Sequence, residues 1–381
     1  MRVFVNAVAL RDAGGRSVAL NFLRAVGAAG TDHSYYVVAP PGRGYESVAQ
    51  DNVLIDILPK RAGDVLARPL VDRVWLPRLV DKVRPDVVFS MGNLPVPTTA
   101  VPQLVLFHWP YAIYPESPAW RRMDRRSRWL RKLRLRAFVR GLRYATAFAA
   151  QTRTAKRRLG DIYAVSNVCV VPNAVSITPI AARLDNVVKR QSPDERLLLC
   201  LSRYYPHKNI EALVEVARIV RHRGEPFRFI ITIDESQHKA AGELLRRVAR
   251  EGLGGIIRNI GQVSMETVPS LYRSVDGMIL PTLLESFSGT YVEAMHYGVP
   301  VFTSDLDFAR DVCGGAAFYF DPLDPDSIHR ALVTAFHDAS LIDRAVAEGK
   351  RAVARMPDWN AVAAAYVRAL TRVAGGLPVD D

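Results

Sequence analysis

The chain is short of cysteine, of acidic residues and of long apolar runs, and each shortage excludes something. Its three cysteines, Cys169, Cys200 and Cys313, lie in or beside apolar stretches with no paired metal-ligand spacing. Reduced core thiols are expected, with no disulfide framework and no zinc or other metal site. No run of 18 apolar residues occurs, and the opening Met-Arg-Val-Phe-Val-Asn reads as a strand rather than a secretory leader, so a cytoplasmic location is expected. Asp and Glu number 38 against 51 Lys and Arg, a net charge of +13. The imbalance is local: residues 120–143 hold eleven Arg or Lys against Asp124, a net of +10, which leaves +3 for the remainder. A basic excess confined to one segment points to a local anionic partner. No helix-turn-helix, RNA-recognition or zinc-finger pattern accompanies it, which argues against nucleic acid.

What is present is alternation. In the first half, apolar runs at 3–8, 35–39, 86–90, 104–107, 145–150 and 168–171 read as strands. Helical patterns fall at 17–28, 71–83 and around 120–142. Residues 176–195, with two prolines and mixed charge, read as a linker. A second series follows, with strands at 197–201, 228–233, 256–260 and 277–280 and helices at 210–221, 242–250 and 268–274. Such alternation predicts an α/β protein with two doubly wound, Rossmann-like domains, each a parallel sheet wrapped by helices. At 381 residues the chain suits two domains of roughly 150–200 residues each. The boundaries expected are 1–178, 190–355 and a final helical segment 356–381.

The strand Gly277-Met-Ile-Leu280 leads into Pro281–Ser288, a loop, and then a helix from Thr290 to Tyr297 closed by Gly298. Ligands of open α/β sheets bind at such carboxyl ends, and a helix N-terminus favours an anion, here a diphosphate. Glu285 and Glu293 flank the small-residue loop, and Glu293 falls in the expected first helical turn. Each carboxylate can accept hydrogen bonds from a vicinal diol, as in a ribose at one end and a transferred sugar at the other. Gly289 lets the backbone approach closely. In Leu201-Ser-Arg203-Tyr-Tyr-Pro-His-Lys208-Asn209, a turn after a strand carries two cations. Arg203 offers a planar fork and Lys208 a point charge for a departing diphosphate. Taken singly, these residues also fit solvated surface charges or a helix-start acid.

Two glutamates separated by seven residues, then Ala294-Met295 and Gly298-Val-Pro300-Val, resemble the retaining glycosyltransferase family 4, also called group 1. The family commonly has Phe-Gly-Leu or Phe-Gly-Ile after the first glutamate, whereas this chain has Phe287-Ser288-Gly289-Thr290. The resemblance implies the GT-B arrangement, two Rossmann-like domains facing a central cleft. It implies Arg203 and Lys208 as the diphosphate pair, Glu285 at the sugar, Glu293 at the ribose, and Phe287, Ser288, Gly289 and Thr290 in the donor loop. Gly14-Gly15-Arg16-Ser17 resembles the family's glycine loop beside acceptor and donor phosphates. His108, directly after a strand, stands where the family often has a histidine touching the donor sugar. Val263, in Ile260-Gly-Gln-Val263, matches the place where backbone groups pair with the nucleobase; a backbone reader does not separate UDP from GDP. Ala174 replaces the usual glycine in Pro172-Asn173-Ala174, and Ile231-Thr-Ile-Asp234 stands where many relatives have Gly-x-Gly.

In the basic segment, Leu135, Phe138, Val139 and Leu142 fall on one helical side and Trp129, Leu130, Leu133 and Tyr144 on another, so it is not a simple amphipathic stripe. One apolar side is expected against the first domain. Trp120, Arg121, Arg122, Arg125, Arg126 and Trp129 are expected to meet water or anionic lipid head groups at the inner face of the membrane. The function expected is transfer of a sugar from a UDP- or GDP-linked donor to a glycan or lipid-linked acceptor with retention, without an essential metal, in cell-surface polysaccharide or glycolipid synthesis. Asp305-Leu-Asp307 has a metal-binding spacing but follows the Gly-x-Pro-Val strand. Rival readings are a sugar-nucleotide epimerase or other enzyme on the same fold, a phosphorylase, for which no cofactor lysine site is identified, and an inactive membrane-associated scaffold.

Overall fold

A computed structural model describes residues 1–11, 13–59, 68–174 and 188–379. The greater part of the expected linker, 176–187, lies outside the described residues. Among the described residues thirteen strands form two all-parallel sheets. The first sheet holds β1 (Arg2–Asn6), β2 (Ser34–Ala39), β3 (Val53–Ile57), β4 (Val87–Ser90), β5 (Gln103–Phe107), β6 (Ala147–Ala150) and β7 (Val168–Val170). Its order is β3-β2-β1-β4-β5-β6-β7. The second holds β8 (Arg196–Cys200), β9 (Phe227–Ile231), β10 (Ile257–Asn259), β11 (Gly277–Leu280), β12 (Val301–Ser304) and β13 (Ala317–Phe320), in the order β10-β9-β8-β11-β12-β13. Central strands β4, β5, β6 and β11 are buried along their whole length, the burial of a parallel sheet covered on both faces. In each sheet the order reverses once, between β1 and β4 and between β8 and β11. Such reversals open a crevice at the strands' carboxyl ends.

Two compact units result. Unit 1 comprises 1–113, 125–174 and 357–381; unit 2 comprises 114–124 and 175–356. The helix Trp359–Ala374 belongs to unit 1, where Tyr366 is fully buried with its ring 5.8 Å from that of Phe22 and 5.3 Å from that of Phe89. Residues 114–124, inside the stretch 1–178 of the sequence reading, cluster instead with unit 2. Tyr114 explains why: its hydroxyl donates to Asp307 Oδ1 at 2.8 Å and its ring meets Phe308 edge-on.

The basic segment is not one helix from 120. A short 3-10 turn covers Pro118–Trp120 and the α-helix runs from Arg125 to Gly141. Only Phe138 of that helix is buried, inserted among Phe107, Trp109 and Phe148. Val139, expected beside it on the packed side, is 46% exposed.

Candidate active site

The turn after β8 and the loop after β11 flank the reversal of the second sheet, so Lys208 and Glu285, 77 positions apart, meet there. Lys208 Nζ donates to Glu285 Oε1 in a mostly buried ion pair. Thr282 Oγ1, fully buried, lies 3.3 Å from the same carboxylate oxygen and 3.2 Å from the His207 carbonyl. The Leu283 amide donates to that carbonyl at 2.7 Å, tying the two loops together. Asn209 ends the lysine turn in the left-handed region (φ 56°) and its amide donates to Pro322 O at 2.8 Å. Removing one partner of such a pair leaves an uncompensated, largely buried charge. Arg203 is exposed, and among the described residues its side chain makes no hydrogen bond or ion pair.

The helix after the Glu285 loop begins at Gly289, one residue earlier than expected, with Ser288 as its extended first cap. Glu293 is therefore the fifth helical residue and lies beyond the first turn, not within it. Tyr272 O–H lies 3.3 Å from Glu293 Oε2 and 3.2 Å from the Thr290 carbonyl. Burial raises the Glu293 carboxyl above its ordinary value, with Tyr272 opposing. Ser288 and Thr290 hydroxyls bond each other at 2.8 Å at the helix start. Phe287 and Val263 are half-buried. Gly298 closes the helix at φ +71°, a conformation that favours glycine.

In unit 1, Gly14, Gly15 and Arg16 lie in the first turn of the helix Ala13–Ala28 rather than in a loop before it. A Cβ on Gly15 would stand 3.2 Å from His108 Nε2 and 3.0 Å from Leu10 Cδ2, so the glycine lets the helix start close to the imidazole. Arg16 Nε donates to the Arg43 carbonyl at 2.7 Å. His108 follows β5, and its amide donates to Asn93 Oδ1 at 2.7 Å. That contact makes Oδ1 the acceptor, so the Asn93 NH2 faces His108 Nε2 at 3.2 Å and donates to it. The network places the imidazole proton on Nδ1. Burial, then the Arg134 charge, lower this histidine from 6.5 to about 4, so it is neutral at physiological pH.

Among the surface residues named from sequence, Arg121, Arg122, Arg125, Arg126 and Trp129 are exposed, Trp129 at 59%. Trp120 is instead half-buried in unit 2, its indole N–H donating to Tyr114 O at 3.0 Å. Arg122 Nη1 stands 3.9 Å from Glu211 Oε2. Of the Asp305-Leu-Asp307 pair, Asp305 accepts from Arg310 Nε at 2.5 Å and Asp307 from Tyr114. Sequence reasoning missed Ser117, a buried residue whose hydroxyl donates to the Leu283 carbonyl at 3.0 Å, two positions before Glu285. Nothing local in Pro115-Glu-Ser117-Pro announces a partner 166 positions away.

Two family models match. Glycosyltransferase Family 4 matches residues 13–178 and Glycosyl transferases group 1 matches 195–338. The chain belongs to glycosyltransferase family 4. A phosphatidyl-myo-inositol mannosyltransferase of Mycobacterium tuberculosis is 32% identical over 220 residues, 55% of either chain. An O-antigen chain mannosyltransferase B of Escherichia coli is 29% identical over 155 residues, 41% of this chain and 40% of that one. This family 4 chain thus spans about half the length of the curated relatives it matches. The solved sucrose-phosphate synthase of Thermosynechococcus elongatus shares the fold, with a TM-score of 0.75 at 16% identity over 98% of this chain and 99% of that one. The fold is GT-B.

Proposed function

We propose that the protein moves a sugar from a nucleoside diphosphate sugar to a hydroxyl of a lipid-linked or glycan acceptor, with retention of configuration and no essential metal. The observation that carries this reading is the mostly buried pairing of Lys208 with Glu285 at the order reversal of the second sheet, with Glu293 on the helix that follows the Glu285 loop. Breaking the sugar–phosphate bond leaves a diphosphate with added negative charge and an oxocarbenium-like sugar. Lys208 Nζ has three protons and can keep Glu285 while donating to a phosphate oxygen; Arg203 adds a fork from the surface. The amides opening the helix Gly289–His296 supply further donors. Glu285 orients sugar hydroxyls through the carboxylate that Lys208 and Thr282 hold, and Glu293 takes the ribose diol. In unit 1, His108 is neutral and offers an uncharged imidazole to a sugar hydroxyl.

The named relatives are mannosyltransferases, which favours a mannosyl donor and an acceptor in glycolipid or polysaccharide synthesis. The exposed Arg125, Arg126, Trp129, Leu130 and Leu133 favour attachment to the anionic inner face of the membrane. Among the described residues no helix is long and apolar enough to cross a membrane. Calorimetry with UDP and GDP tests the donor site. One of the two should bind, Glu293→Ala should weaken it, and Glu285→Gln, which keeps an oxygen acceptor for Lys208, should spare it. The reverse order of the two variants would overturn the assignment of the carboxylates.

A further inference from the structure

The turn that carries Arg203 is held by side chains of one neighbouring loop. Ser202, Arg203 and Tyr204 follow β8 and belong to no helix or strand, so no sheet ladder orients the arginine. Thr232 and Gln237 come from the loop after β9, which includes the stretch Ile231-Thr-Ile-Asp234 that departs from the family's Gly-x-Gly. Thr232, buried, accepts the Ser202 amide on Oγ1 at 3.0 Å. Its own proton goes to the Ser202 carbonyl at 3.2 Å, nearer than the Cys200 carbonyl at 3.5 Å. Gln237 Oε1 accepts the Tyr204 amide at 2.7 Å, and Ser202 Oγ donates to the Arg203 carbonyl at 2.7 Å. The buried Tyr204 ring stacks on that of His238, with 5.5 Å between centroids.

A side chain's direction is set by the two peptide planes that flank its Cα, because each plane is rigid and only φ and ψ turn between them. Both planes beside Arg203 are gripped. The plane before it is held through the Ser202 carbonyl, and the plane after it through the Arg203 carbonyl and the Tyr204 amide. The exposed Arg203 side chain is therefore free only in its rotamers. The gripping loop is anchored in turn. Asn259, the last residue of β10, donates from Nδ2 to the Ile233 carbonyl at 2.9 Å and accepts the Ile233 amide on Oδ1 at 3.2 Å. The same oxygen accepts the Gly261 amide at 3.2 Å, so the segment leading to Val263 is tied to the same point. Asp234 caps the 3-10 turn Glu235–Gln237 by accepting the Ser236 amide at 2.8 Å, which delivers Gln237 to Tyr204.

We infer that Thr232 and Gln237 are positioning residues for the donor's diphosphate, which fix the backbone of Arg203 so that its guanidinium fork meets the phosphate oxygens from one set direction. The inference rests on the transferase reading above and adds to it two residues that act through Arg203 rather than on the substrate. A fork-to-phosphate contact is directional, and misplacing such a group by about 1 Å weakens its effect sharply. Glycine has no side chain to give, so the hold made by Thr232 accompanies the departure from Gly-x-Gly.

The test is a mutant cycle read by calorimetry with UDP and GDP, on the whole protein and well below each variant's thermal transition. Thr232→Val keeps nearly the same shape and loses the hydroxyl, Thr232→Ser keeps the hydroxyl, and Gln237→Leu loses the acceptor. Arg203→Gln is made alone and combined with Thr232→Val or with Gln237→Leu. Whichever nucleotide binds should bind Thr232→Val, Gln237→Leu and Arg203→Gln each about tenfold more weakly, the loss of roughly one charge-assisted bond. Thr232→Ser should bind nearly as the wild type. Added to Arg203→Gln, neither Thr232→Val nor Gln237→Leu should cost more than about a further twofold, since residues that act through one group are not additive. Equal losses with and without the arginine would reduce Thr232 and Gln237 to general packing and overturn the proposal, as would wild-type binding by either single variant. Full binding by Arg203→Gln would remove the residue they serve and overturn it as well. Failure of the wild type to bind either nucleotide is a different result, which brings down the donor reading itself and this proposal with it.

Discussion

Glu293 is the residue whose chemistry is most exposed to test, because burial and ligand pull it in opposite directions. Its carboxyl is raised by burial, so the ionised form is disfavoured in the folded protein. Above the ordinary carboxyl range this residue therefore costs stability, and the cost is relieved as pH falls through the raised value. Two ribose hydroxyls donating to it would favour the ionised form and bring the value down. Nucleotide binding should then release protons at mildly acidic pH and tighten as pH rises. Titrations in buffers of different ionisation enthalpy measure that release, and Glu293→Gln should abolish it. Release that persists unchanged in the variant would assign the proton elsewhere. Both carboxylates and both cations could be singled out from sequence, because each stands at a strand-to-helix punctuation that Gly289, Pro206 or Gly298 marks. The pairing of Lys208 with Glu285 could not, since it depends on β8 and β11 being neighbours in the sheet. Trp120 was misplaced for a similar reason: the Tyr114 carbonyl that takes its N–H is fixed by unit 2.

At the scale of elements, the segment 114–124 is the main departure from what the alternation of strands and helices implied. It leaves unit 1 after Ile113 and fastens to unit 2 through Tyr114 to Asp307 and Ser117 to the Leu283 carbonyl. Leu283 is the residue whose amide bonds the Lys208 turn, so Ser117 steadies the peptide that leads to Glu285. Ser117→Ala should leave this carbonyl short of a buried donor, at a cost of about 1–3 kcal/mol. It should lower kcat more than it raises KM for the donor, and Ser117→Thr should restore most of the loss. Equal loss in the alanine and threonine variants would reduce Ser117 to a packing role. Other elements escaped the sequence for plainer reasons. Strand β3 is five residues long and carries Asp56 at its fourth position. The helix Arg153–Tyr163 holds four basic residues and Gly160 and buries only Thr154, Ala155 and Leu159, too thin a stripe to recognise.

For the whole molecule, charge is the property that sets its surroundings. Ten of the thirteen net positive charges fall within residues 120–143, and the helix in that stretch exposes Trp129, Leu130, Leu133 and Val139 among arginines. Each basic residue near an anionic surface contributes ~1 kcal/mol, and the attraction decays over ~8 Å at physiological ionic strength. Sedimentation with vesicles should therefore rise with anionic lipid and fall with added salt. Reversing Arg125 and Arg126 to Glu should release the protein while nucleotide binding persists. Unchanged sedimentation of the reversed variant would mean that this helix face is merely solvated. Arg203 offers the cleanest probe of sugar transfer from a nucleoside diphosphate donor. Lys208→Ala would strand Glu285 as a buried charge and confuse folding with chemistry, whereas Arg203 is exposed and its loss strands nothing. The decisive measurement is release of nucleoside diphosphate from UDP- and GDP-sugars, GDP-mannose among them, in the presence of membrane lipid extract. One donor should turn over, and Arg203→Ala should slow it by about 10²–10³, the loss of one donor to a developing oxyanion. Turnover of the variant at the wild-type rate, or no turnover of any donor by the wild type, would contradict the account.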